Sequence, residues 1–147
     1  MDNKLMTFEN AAFGKIRTLT IDGEPWFVAV DVCRALEIGN PTDAMRRLDA
    51  DERTLVSIEG ASNGLPVNAV NEPGLYTLIL GSRKPEAKAF KRWITHEVIP
   101  AIRKYGGYMT KSLLEQVLEN PNLIYEFARR MLAEQQKNER LREAVGR

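Results

Sequence analysis

The chain has 147 residues, 44% hydrophobic and 28% charged with a net charge of +1, the make-up of an ordinary soluble protein with room for one real core. No apolar run approaches the roughly 18 residues of a membrane span, and the N-terminal MDNKLMTFENAAFG lacks the basic-then-apolar layout of a signal peptide, which predicts a cytosolic protein. One cysteine, Cys33, excludes an intrachain disulfide, and with the sole histidine, His96, it supplies too few ligands for a Cys/His zinc site.

Residues 13–30 read as a β-hairpin: FGKIRTLTI is rich in β-branched residues, Asp22-Gly23 signals a turn, and EPWFVAV follows as an apolar strand. Asp31 is expected to cap a short helix, DVCRALEI, in which Val32, Ala35 and Leu36 share a face and after which Gly39 ends the element. Cys33 lies inside this apolar stretch and reads as a small buried hydrophobe. Asn40-Pro41 has the side-chain cap and first-turn proline of a second helix, with Ala44, Met45 and Leu48 as its apolar side. The acidic Asp49–Glu52 stretch reads as a loop. RTLVSIEG and LPVNAVN read as a second hairpin around Asn63-Gly64.

Glu72-Pro73-Gly74 opens a helix with Leu75, Leu78 and Ile79 at helical spacing. A basic segment follows. Between Arg83 and Tyr105 stand seven basic side chains against only Glu86 and Glu97, while residues 1–82 hold seven basic and twelve acidic ones. Such separation concentrates a field that attracts phosphate. Phe90, Trp93, Ile94, Val98, Ala101, Ile102 and Tyr105 form a stripe at spacings of three and four that is expected to face the core. Lys84, Lys88, Lys91, Arg92 and Thr95 fall largely on the other side. Pro100 has no N–H for the carbonyl of His96, so the helix must kink or restart there, and Gly106-Gly107 stops it.

Hairpins alternating with short helices predict an α+β domain over 1–108, small antiparallel strands packed with helices. Residues 109–147 are expected to be a helical extension. Ser112 and Glu115 match a capping box, and Asn120-Pro121 punctuates. In the long charged helix that follows, Ile124, Phe127, Met131, Leu141 and Val145 fit a heptad seam that Glu134 and Asn138 interrupt. Two readings stand for it: a homo-oligomerising or partner helix, and a solvated linker.

Candidate nucleic-acid contacts are Arg83, Lys84, Lys88, Lys91, Arg92, Arg103 and Lys104, extended by Arg46 and Arg47 on the second short helix. Trp26, Phe27, Phe90 and Trp93 fall at core positions. His96 beside Glu97 reads as helix surface. No phosphate loop, paired-carboxylate motif or Ser-His-Asp arrangement is visible, so no catalytic residue, metal or cofactor is expected.

Three blocks together are informative: EPWFVAVDVCRALEIGNPTDAMRRL (24–48), VNEPGLYTLILGSRKPEAKAFKRWITHEVIPAIRKYGGY (70–108), and the hairpin between them. Over 13–108, about two thirds of its length, the chain resembles the N-terminal domain of the BRO family, found in phage and prophage antirepressors and in large DNA viruses of insects. The resemblance implies a role in phage transcriptional control: relief of a lysogenic repressor, with nucleic-acid binding by this domain. The alternative is a protein-interaction module that captures a phage repressor without touching DNA. Many such proteins carry a second domain after a helical linker. This sequence stops at Arg147, either as a short member or as part of a longer chain.

Overall fold

The computed structural model describes residues 6–10, 14–58 and 65–145. Its contacts divide into two compact units, Met1–Glu97 and Val98–Arg147. In the first, β1 (Met6–Asn10), β2 (Gly14–Ile21), β3 (Glu24–Val28), β4 (Arg53–Val56) and β5 (Val67–Asn71) form one antiparallel sheet in the order β1-β2-β3-β5-β4. Asp22 and Gly23 join β2 to β3 with φ of 52° and 81°, the doubly positive geometry whose twist suits a two-residue hairpin. β4 and β5 pair as the second expected hairpin, with Thr54 opposite Ala69 and Val56 opposite Val67. The Asn63-Gly64 turn between them and Phe13 before the first hairpin lie outside the described residues.

Period-two alternation splits the apolar residues between the two faces of the sheet. Phe27 and Val70, paired across β3 and β5, belong to the larger cluster with Val32, Cys33, Leu36, Ala44, Met45, Leu48 and Leu78. Val28 and Ala69, the next pair, belong to the opposite cluster with Leu19, Val56 and Ile58. Trp26 packs on this second cluster, so both strand aromatics are core residues as their positions predict. The α+β class is therefore the observed one.

Four helices complete the unit: α1 (Ala29–Ala35), α2 (Pro41–Arg46), α3 (Glu72–Gly81) and α4 (Pro85–Trp93). The Asn40 side chain accepts from the Asp43 N–H at 3.1 Å, as expected for the α2 cap. Asp31 does not cap α1. The helix begins two residues earlier, and the Asp31 carboxylate is buried (2% exposed) because Arg17 on β2 reaches it. Gly39 does not end α1 either; the chain leaves the helix at Leu36 and turns through Glu37, whose φ is 57°. The acidic loop contains a 3-10 turn (Ala50–Glu52) closed by its own capping box, with the Asp49 N–H donating to Glu52 Oε1 at 2.9 Å.

After α4 the chain makes a π turn (Ile94–Val98) and restarts as α5 (Ile99–Tyr105), with Pro100 in its first turn. Of the two outcomes open for Pro100, the restart is the one observed. It also corrects the expected core stripe. Ala87 is the fully buried residue of α4, Phe90, Ile94, Val98 and Ala101 are half-buried, and Trp93, Ile102 and Tyr105 are exposed. A π turn breaks the 3.6-residue period, so a stripe counted straight through it does not stay on one face.

In the second unit α5 ends at Gly106, which is left-handed (φ 84°) and donates its N–H to the Ile102 carbonyl at 2.9 Å. α6 (Lys111–Glu119) is capped by Thr110, whose hydroxyl accepts from the Leu113 N–H at 3.2 Å. Ser112, expected to be the cap, lies within the helix because Thr110 offers an equivalent hydroxyl one position ahead of Lys111. α7 (Asn122–Val145) follows directly after Asn120-Pro121.

Candidate nucleic-acid interface

Three helix ends meet at Ser82. Its hydroxyl donates to the Leu36 carbonyl at the end of α1 (3.1 Å) and accepts from the Lys84 N–H that starts α4 (3.2 Å). Two of the expected phosphate ligands close the same joint. Lys84 Nζ donates to the Ala35 carbonyl at 2.8 Å, and Lys91 Nζ donates to the Ser82 carbonyl at 2.9 Å. Cations here satisfy carbonyls that a helix C-terminus leaves without intrahelical partners, and they sit at the negative end of the helix dipole. Lys84 and Lys91 thus hold the fold together at this point.

The joint fixes where the other cations stand. Arg83, Lys88 and Arg92 are exposed, and Lys88 and Arg92 lie four residues apart on one side of α4. Arg46 and Arg47, at the end of α2, are exposed as well. An Arg47 guanidinium nitrogen lies 3.6 Å from where a Cβ on Gly81 would be, which sets this end of α2 against the residue that precedes Ser82. Arg53 on β4 donates to the Met45 carbonyl at 3.0 Å and ties the same end of α2 to the sheet. The first unit therefore sets Arg47, with Arg46 beside it in the chain, against the α3–α4 junction that carries Arg83, while Lys88 and Arg92 are exposed along α4. Arg103 and Lys104 belong to the last turn of α5 in the second unit, where both are exposed.

The start of α3 is held as firmly as its end. Asn71 Oδ1 accepts from the Gly74 N–H at 3.0 Å, while its Nδ2 donates to the Asp51 carbonyl at 2.9 Å. This draws the 3-10 turn so close that a Cβ on Gly74 would stand 2.8 Å from the Glu52 carbonyl oxygen. Tyr76, one turn along, donates its hydroxyl to Glu72 Oε2 at 2.8 Å and stacks on Phe90 of α4 with ring centroids 6.0 Å apart. Burial and then the Glu72 carboxylate push the Tyr76 phenol up to about 12.

Elsewhere in the first unit, Arg17 grips Asp31 through Nε at 2.8 Å and Nη2 at 3.0 Å, and Arg34 stands 3.5 Å from the same carboxylate. Burial works to raise the Asp31 carboxyl, but the Arg17 hydrogen bonds and the two guanidinium charges outweigh it and hold the group below its ordinary value. Burial pushes the Cys33 thiol up. Among the described residues no group of three or more His, Cys, Asp or Glu side chains could hold a metal ion, and no helix is long and apolar enough to cross a membrane.

On the partner side of the sequence reading, Ile124, Phe127, Met131 and Leu141 are exposed along α7, and the Val145 side chain lies outside what is described. Sequence reasoning missed the Ser82 joint and the Arg17–Asp31 pair. The joint links residues 46 and 49 positions apart through single hydrogen bonds, and no periodicity carries that signal. The Asp31–Arg34 spacing of three was the one visible hint of an ion-pair cluster.

The family model for the BRO family, N-terminal domain, matches residues 15–100. An uncharacterised Haemophilus influenzae protein is 38% identical over 89 residues, 58% of this chain and 43% of that one. A Bro-N domain-containing protein of Invertebrate iridescent virus 3 is 29% identical over 119 residues, 65% of this chain and 29% of its own. Another, from Acanthamoeba polyphaga mimivirus, is 25% identical over 149 residues, 90% of this chain and 60% of its own. The chain spans less than half the length of the first two of these relatives. No solved structure matches it. With the family model covering β2 from Lys15 onward, β3 to β5, α1 to α4 and the Ser82 joint, the chain belongs to the BRO family through its N-terminal domain.

Proposed function

We propose that the protein is a DNA-binding transcriptional regulator of the antirepressor type, acting in the control of phage lysogeny, and that its first unit meets the phosphate backbone through Arg46, Arg47, Arg83, Lys88 and Arg92. The observation that carries this reading is the division of labour on α4. Lys84 and Lys91 are bonded to carbonyls and fix the helix, while Arg83, Lys88 and Arg92 are exposed, and Arg47 at the end of α2 lies against Gly81 just before Arg83. A rigid element presenting cations is what backbone contacts need: the phosphate term supplies affinity and register, and lost side-chain freedom is small when the helix is already held. Arg103 and Lys104 are in the second unit and are not required for it.

Replacing Arg83, Lys88 and Arg92 together with glutamate tests the site. The variant is expected to lose the electrophoretic shift of duplex fragments of phage DNA while its circular dichroism and melting temperature stay those of the parent. Undiminished binding would remove the assignment.

A further inference from the structure

The second unit contains an apolar cleft of about 540 Å³, lined among others by Tyr105 of α5, Tyr108 and Met109 of the following loop, Leu114 of α6, and Phe127 and Met131 of α7. That volume is in the range of sites that take up several side chains, and methionine with aromatic lining suits a helix face. α7 runs on far past it. At 1.5 Å per residue its 24 residues reach about 36 Å, against about 14 Å for the nine residues of α6, so Leu132 and Leu141 remain exposed beyond the reach of α6.

The charges decide what occupies this surface. With Ile124, Met131 and Asn138 at a and Phe127, Glu134 and Leu141 at d, the flanking e and g positions carry Arg130, Lys137 and Arg142 and no acidic residue. Two parallel copies would stack Glu134 on itself and set Lys137 near the other copy's Arg142. Two antiparallel copies would set Arg130 near Lys137 and press Glu134 onto Met131. Both alignments oppose like charges, so a second copy is disfavoured. Around the cleft, Glu115 stands 4.0 Å from Lys111 and Glu126 stands 4.0 Å from Arg129, so these two acids are offset by their own neighbours.

We propose that the α5–α7 cleft and the α7 seam are a docking groove for an amphipathic helix of another protein whose apolar stripe is flanked by acidic residues. The partner's large apolar side chains enter between Tyr105, Leu114, Phe127 and Met131, and its carboxylates meet Arg130, Lys137 and Arg142. This proposal is independent of the DNA contacts of the first unit.

Two synthetic peptides of three heptads test it on the full chain, both with leucine at a and d, one with glutamate at e and g and the other with lysine. Titration calorimetry is expected to give at least ten-fold tighter binding of the glutamate peptide. Phe127→Asp should abolish that binding, Lys88→Glu/Arg92→Glu should leave it unchanged, and Arg130→Glu/Lys137→Glu/Arg142→Glu should invert the preference, each variant keeping the parent's circular dichroism. Equal affinity for the two peptides, no binding of either, or loss of binding in the Lys88/Arg92 variant would overturn the proposal. So would sedimentation showing a dimer of the parent that Phe127→Asp dissociates.

Discussion

At the scale of single residues, the two most demanding positions are Asp31 and Gly74. A carboxylate 2% exposed persists as an anion only because Arg17 donates to it through its backbone N–H and twice through its guanidinium. Arg17→Ala leaves that charge without its main partner and is expected to cost about 3 kcal/mol, read as a lower urea midpoint at pH 7. Because the Asp31 carboxyl is held below its unfolded value, its contribution is fully present above pH of about 4 and is lost as pH falls through the folded-state value. Urea midpoints measured from pH 6 down to pH 2.5 should therefore decline more steeply for the parent than for the Arg17→Ala/Asp31→Asn double variant. Parallel declines would contradict this role. Gly74→Ala drives a Cβ to 2.8 Å from the Glu52 carbonyl oxygen, a backbone atom that cannot swing aside, and should cost about 2 kcal/mol in the same measurement.

Among the elements, α4 is where sequence and structure part company in an instructive way. Its existence, its basic character and the break at Pro100 were all legible, since proline, glycine and charge act locally. Which lysines face solvent was not. Lys84, Lys88 and Lys91 follow one another at spacings of four and three, as one continuous face would, yet Lys84 and Lys91 turn to carbonyls supplied by Ala35 and by Ser82. Those acceptors exist only once α1 and α3 have packed. The same holds for Trp93 and Tyr105, whose stripe position depended on a helix running unbroken through 94–98, where a π turn intervenes. The hairpins, by contrast, were readable because Asp22-Gly23 specifies its own backbone geometry. Separate roles for the cations predict separate phenotypes. Lys91→Ala should destabilise the first unit by about 1 kcal/mol, seen as a reduced melting temperature, with DNA affinity changed little at temperatures where it stays folded. Lys88→Ala should do the reverse. Identical behaviour of the two variants would mean that the Ser82 joint does not govern the face.

For the whole molecule, the net charge of +1 conceals the arrangement that matters, an exposed basic group on one unit and a cation-flanked apolar groove on the other. The α+β class and the family were legible over residues 13–108 because short motifs, turns and amphipathic faces agree with one another. The candidate interface was legible only as a list of basic residues, of which the fold bonds Lys84 and Lys91 to carbonyls and leaves Arg46, Arg47, Arg83, Lys88 and Arg92 exposed. The proposed contact between phosphate and the exposed cations of the first unit is best tested by the salt dependence of duplex binding. Five contacts, from Arg46, Arg47, Arg83, Lys88 and Arg92, imply a slope of log affinity against log salt of about −4.5, since each phosphate contributes about −0.9. Fluorescence anisotropy of a labelled duplex across a salt series should show that slope for the parent, and a slope shallower by about 2 for Lys88→Ala/Arg92→Ala. A slope unchanged by the double variant would mean that Lys88 and Arg92 do not touch phosphate.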